Sequence, residues 1–256
     1  MKIQECVEKL IGKEFTTKKS GRCSIVDYKH SRDVTVVFHE PLYTAKCSMG
    51  NLRLGNVFNP YYPNVYGKGY MGVGKHSGCG RIYDLWNNLL KRTCGNSGNE
   101  KMAAYKDATV CEEWLDFQNF ANWCEDHQFF NVKDDKGRYY HLDKDILFKG
   151  NKIYSPETCC FVPSYINTLF VSHKKGRGEY PKGVSYFKRD GNFRARFSDG
   201  LDKSKHLGYF DTPEGAFQAY KKAKESHIKN IAEVYKSQIS GNIYEALHSY
   251  EVEIDD

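Results

Sequence analysis

No stretch of this chain approaches the roughly 18 consecutive apolar residues that a membrane-spanning helix needs. Its first residues, MKIQECVEKLIGKEF, alternate charge with apolar side chains where a secretory leader would carry an uninterrupted apolar run. The expectation is a soluble chain that is not exported. None of the nine cysteines forms a CxxC pair, so a zinc ribbon has no support. An odd cysteine count without a leader points to reduced thiols and a cytoplasmic setting. A dispersed site using Cys94, Cys111 and Cys159 or Cys160 stays open beside the commoner use of free cysteine as a small buried hydrophobe. The phosphate-cradling GxxxxGK[ST] loop is also missing. The segment NPYYPNVYGKGYMGVGKHSGCG is dense in glycine but does not open a helix after a buried strand, which argues for a connector or short hairpin.

Aromatic side chains are plentiful: 19 Tyr, 15 Phe and 3 Trp among 256 residues supply anchors for several small cores and exclude disorder throughout. The net charge of +6 is unevenly spread. Residues 172–236 hold 15 Lys/Arg against 8 Asp/Glu, whereas 237–256 hold five acids and no Lys/Arg. A basic block of this kind suits a polyanionic partner, and a solvated lysine-rich helix face is the plainer alternative.

Periodicity divides the chain into an α+β, multi-domain arrangement. Residues 1–60 read as a small β-rich module, because RCSIVDYKH and DVTVVFHE are short alternating runs separated by a turn. Residues 61–172 read as a helical scaffold. Ile82, Leu85, Trp86, Leu89 and Leu90 form one helical stripe, and Trp114, Leu115, Phe117, Phe120 and Trp123 form another. Within the scaffold, about 137–170, the order strand, turn, strand, helix defines a ββα unit. Residues 173–182 read as a basic linker, 183–237 as three short strands and a helix, and 238–256 as an acidic tail, frayed or capping. The last helix is expected to start at Asp211 or Thr212 with Pro213 in its first position, burying Ala216, Phe217, Ala219, Tyr220 and Ala223.

A three-stranded antiparallel sheet backed by one helix packs one face and leaves the other free. Alternation sends Phe193, Ala195 and Phe197 one way and Arg194 and Arg196 the other. A convex basic sheet face of this kind matches the width of a DNA major groove. The segment GVSYFKRDGNFRARFS…KHLGYFDTPEGAFQAYKKAK resembles the AP2 DNA-binding domain over about 55 residues, in strand lengths, turns and helix entry. The resemblance implies double-stranded DNA as partner. It maps DNA-facing side chains onto Lys182, Tyr186, Lys188, Arg194, Arg196, Lys205 and His206. Ser185 stands where that family usually has arginine, and Phe193 where it has tryptophan. Tyr209 and Phe210 read as core.

The stretch DKDILFKGNKIYSPETCCFVPSYIN in turn resembles the ββα-metal motif of viral and intron-borne HNH homing endonucleases. The shared features are Ser155–Pro156–Glu157, Phe161–Val162–Pro163 in place of WVT, and Asn167 as the closing helix residue. The resemblance implies a divalent metal, Mg²⁺ or Mn²⁺, on Asp143 and Asn167, with the host cytoplasm as the site of action. It puts Lys144 where a catalytic histidine stands and Thr158 where an asparagine stands. Histidine suits that role because its neutral form is poised near neutral pH, whereas an exposed lysine with a pKa of about 10.4 stays protonated. Three readings remain open: His141 supplies the base from a shifted register, Lys144 acts desolvated or as a cation on the phosphate, or the site is inactive. Asp145 replaces or joins Asp143, since alternation puts His141, Asp143 and Asp145 on one strand face. The leading expectation is therefore a metal-dependent DNA endonuclease, nicking if monomeric. The alternative is a non-catalytic DNA-binding or anti-defence protein that keeps the ββα outline.

Overall fold

The computed structural model describes residues 8–95, 107–170, 179–199 and 204–255. It is mixed α+β, with antiparallel sheets and separate helices, as the periodicity predicts. The chain divides into two compact units, 1–127 with 152–155, and 128–151 with 156–256.

The first unit opens with four strands, β1 (Glu14–Thr16), β2 (Arg22–His30), β3 (Asp33–His39) and β4 (Leu42–Cys47), paired in sequence order as an antiparallel meander. Strand β3 shows why: Val34, Val36 and Phe38 alternate inward and join Cys23 and Ile25 of β2. The short helix α1 (Met49–Arg53), capped by the Ser48 hydroxyl, closes this core with Met49 and Leu52.

Helix α2 (Gly80–Thr93), the short strand β5 (Thr109–Val110) and helix α3 (Phe117–Asp126) complete the unit. The second aromatic stripe does not make one continuous helix. A 3₁₀ turn at Glu112–Leu115 precedes Asp116, whose extended backbone and side chain cap α3 by accepting from the Gln118 N–H. Both stripes still meet: the Trp86 and Phe117 rings lie 5.2 Å apart, and the Trp86 indole donates to the Trp114 carbonyl at 2.7 Å. The glycine-dense segment runs close over these aromatics. A Cβ at Gly69 would stand 2.2 Å from the Leu90 side chain, so glycine is required there by close packing.

The second unit contains β6 (His141–Asp143), β8 (Cys160–Val162) and α4 (Ser164–Leu169), with β6 and β8 antiparallel. Between them β7 (Ile153–Tyr154) pairs in parallel with β5, inside the first unit. Then follow β9 (Val184–Phe187), β10 (Asn192–Ser198) and β11 (Ser204–Phe210), in the order β11-β10-β9, helix α5 (Pro213–Val234) and helix α6 (Gly241–His248). Thr212 caps α5 by accepting from the Gly215 N–H at 3.1 Å, with Pro213 in the first turn.

Two boundaries differ from the sequence reading. At 22 residues α5 is about 33 Å long, longer than a small three-stranded sheet can cover. Its first half packs Phe217 and Tyr220 against Phe197. Its second half packs Ile228, Ile231 and Ala232 against Ile146, Cys160, Val162, Ile166 and Leu169 of the ββα unit. One helix thus serves both, and they share a compact unit. The acidic tail is likewise part of the core: Ile239, Ile243 and Leu247 are buried in the same cluster, and Val252 beneath the sheet. The linker at 173–182, His173 included, lies outside the described residues except for its last part.

Candidate nucleic-acid interface and the ββα unit

Directly opposed residues of an antiparallel pair share a face, so the register assigns each side chain of the C-terminal sheet. Ala195 and Phe197 are buried toward α5, with Val184 and Gly208 opposite Ala195. The outer face carries Arg194, flanked by Ser185 and Tyr209, and Arg196, opposite His206. Phe187, opposite Asn192, lies on the same side. The Phe187 and Tyr209 ring centroids are 5.4 Å apart, and Tyr209 lies 4.7 Å from His206. The Arg194 guanidinium stands 5.7 Å and that of Arg189 5.4 Å from the Phe187 centroid. Among the described residues no carboxylate pairs with Arg194 or Arg196. The outer face is therefore an aromatic floor bearing uncompensated cations.

Arg194, Arg196 and His206 are brought together as expected, and the other expected contacts are not. Tyr186 opposes Phe193, ring centroids 5.3 Å apart, and so belongs to the face that Ala195 and Phe197 share. Lys188 stands in the turn after β9, and Lys182 in the turn before it. Lys205 is exposed opposite Phe197, at the beginning of β11. Tyr209 corrects the reading as core: it is 46% exposed on the outer face. The cause is a bulge. Pairing slips between Ala195 and Arg196, inserting Leu207, which packs inward, while Gly208 takes φ +133°. Simple alternation from Leu207 would have put Tyr209 inside. The Gly208 beside it was the available signal, since an isolated glycine in a strand marks a bulge.

The ββα unit holds its residues differently from the HNH expectation. Strand β6 ends at Asp143, where Oδ1 accepts from the N–H groups of Asp145 and Ile146 at 2.7 and 2.8 Å. The chain bends there, and the alternation meant to align Asp145 with His141 and Asp143 stops. Lys144 is 8% exposed. Its ammonium donates to Asp145 Oδ1 at 2.5 Å and to the Asn151 carbonyl at 2.9 Å, and the Asn151 amide donates back to the Lys144 carbonyl. Lys144 therefore serves the loop from inside and is not presented to a phosphate. His141 is exposed opposite Val162, and Asn167 is half-buried on α4 beside the core residue Ile166.

This donor set does not fit a resident divalent ion. Mg²⁺ and Mn²⁺ take converging oxygen ligands. Here one oxygen of Asp143 is committed to two backbone N–H groups, and Asp145 is paired with Lys144. Burial pushes the Asp143 carboxyl above its usual range, the sign of a group short of positive charge rather than built around it. Among the described residues no group of three or more His, Cys, Asp or Glu could hold a metal ion, which applies also to Cys94, Cys111, Cys159 and Cys160.

Polar contacts connect this unit to the sheet. The buried Lys224 of α5 donates to the Leu169 carbonyl at the end of α4, at 2.8 Å, and lies 5.9 Å from the Phe197 ring. The Tyr165 hydroxyl donates to the Asp199 carbonyl at 2.8 Å and sits 2.9 Å from His227 Nε2. Burial, with a smaller contribution from the Lys182 charge, pulls Lys224 down to about 8. No helix among the described residues is long and apolar enough to cross a membrane. Compared with known proteins, the chain matches no family model, no curated sequence and no solved structure.

Proposed function

We propose that this chain binds double-stranded DNA through the outer face of β9–β11. The observation that carries the reading is the pair Arg194 and Arg196, side by side with His206 on a free sheet face and without a neutralising carboxylate. Buried or neutralised cations would not serve this purpose, whereas uncompensated ones release counterions from a phosphate backbone. In this reading the ββα unit is a scaffold sharing α5 with the sheet, and the protein acts by occupying DNA.

Measuring affinity for a duplex across a salt series tests the proposal. Arg194→Ala with Arg196→Ala should weaken binding and reduce the slope of log K against log salt by about 2, near 0.9 per lost phosphate contact. An unchanged slope would remove the assignment.

A second reading, a metal-dependent nuclease, is favoured by one observation: β6, β8 and α4 do follow in ββα order, with Asp143 ending the first strand and Asn167 on the helix. A plasmid-nicking assay in Mg²⁺ and in Mn²⁺ separates the two. Nicking that EDTA, His141→Ala and Asn167→Ala each abolish would establish the nuclease. Duplex binding without nicking would leave the scaffold reading.

A further inference from the structure

We infer that Phe187 and Tyr209 are positioning residues that hold Arg194 flat for base-edge recognition, making Arg194 the specificity-determining side chain of the interface. The inference rests on the duplex-binding reading and deepens it. Arg194 extends from the central strand, so neighbours on both sides reach it. Tyr209 stands directly opposite on β11, and Phe187 is the diagonal neighbour on β9, with Ser185 between. Ser185 is small and leaves the guanidinium free to fold over the Phe187 ring, 5.7 Å from its centroid. Tyr209 extends the same surface, 5.4 Å from Phe187.

Two polar atoms on this face, Arg194 Nε and Asn192 Oδ1, are shielded from solvent and have no hydrogen-bond partner. Arg194 is thus placed by ring packing and not by an ion pair. Burying Nε leaves the two terminal nitrogens as the outward donors. That planar fork matches the paired acceptors of guanine in the major groove. Arg196 differs: it is exposed, opposite His206, with no ring contact of this kind. The structure therefore separates a braced arginine, suited to reading, from a mobile one suited to phosphate. A side chain ordered before binding loses less entropy on binding.

Selection from a randomised 20-base-pair duplex library, followed by titration of the selected and a scrambled duplex, tests this. Wild type should enrich guanine at one position or more. Phe187→Leu with Tyr209→Leu should lose about tenfold of the preference at one guanine, while scrambled-duplex affinity and salt slope stay within about twofold of wild type. Arg194→Lys should lose the same preference, and Phe187→Tyr should retain it. An Arg196→Lys variant should keep the preference. If the double leucine variant melts as wild type does and keeps the full preference, or weakens selected and scrambled duplexes equally, the positioning role is overturned while duplex binding stands. If wild type binds neither duplex, the duplex reading falls and this inference with it.

Discussion

Lys144 and Asn151 hold each other reciprocally: the Lys144 ammonium donates to the Asn151 carbonyl, and the Asn151 side-chain amide donates to the Lys144 carbonyl, both at 2.9 Å. This double bond closes the loop after β6 and fixes the direction of a lysine that the HNH pattern would place in a reactive position. It turns a candidate catalytic group into a staple.

Breaking the staple should therefore cost stability. Lys144→Met leaves the Asn151 carbonyl without this donor in a largely buried loop and should destabilise the protein by about 1–3 kcal/mol, while Asn151→Ala should cost about 0.5–1.5 kcal/mol. Because they break one arrangement, the double variant should lose less than the sum of the two. Urea-denaturation midpoints measure all three, and strictly additive losses would show that the two residues act separately.

The buried Lys224 makes a pH prediction whose sign follows from its depressed pKa. Folded, the group gives up its proton near pH 8; unfolded, near about 10.4. Between these values the unfolded chain carries the extra proton, so stability rises with pH across that window, by up to about 3 kcal/mol. Below pH 8 both states are charged and the contribution is constant. Lys224→Met should remove the rise. Parallel urea titrations of the two proteins between pH 7 and 10 measure the difference; identical curves would show that Lys224 keeps its proton in the fold.

Segment 238–256 should be indispensable to the second unit. Leu247→Ala or Ile243→Ala empties a fully enclosed site in the cluster formed with Ile228 and Ile166 and should cost about 2–5 kcal/mol. Truncation after residue 237 should abolish the cooperative transition of this unit, measured by tyrosine fluorescence and amide exchange. A truncated protein with native protection at Ile228 and Ile231 would contradict this.

Much of the fold is legible in short windows. Val34, Val36 and Phe38 alternate, Trp86, Leu89 and Leu90 repeat at helical spacing, and Thr212–Pro213–Glu214 announces a helix start. The break at Asp116 is harder to read, since the aromatic stripe continues through it and only the capping geometry divides it. The tail was opaque for a different reason. Its apolar residues, Ile239, Ile243, Leu247 and Val252, are few and spaced among acids, and their burial depends on a partner surface supplied by α5 and the ββα unit.

The amino-acid sequence by itself determined the strands and helices, the basic and free face of the C-terminal sheet through Arg194 and Arg196, and the ββα order of residues 141–169. These follow from periodicity and turn chemistry, which act between neighbours in the chain. Tertiary structure alone decided what those residues do. The bulge at Leu207 turned Tyr209 outward beside Phe187, the reciprocal bonds of Lys144 and Asn151 drew a charge inward, and the length of α5 joined two segments into one core. Each depends on a partner distant in sequence or on a one-residue slip in register, and neither leaves a mark in local periodicity.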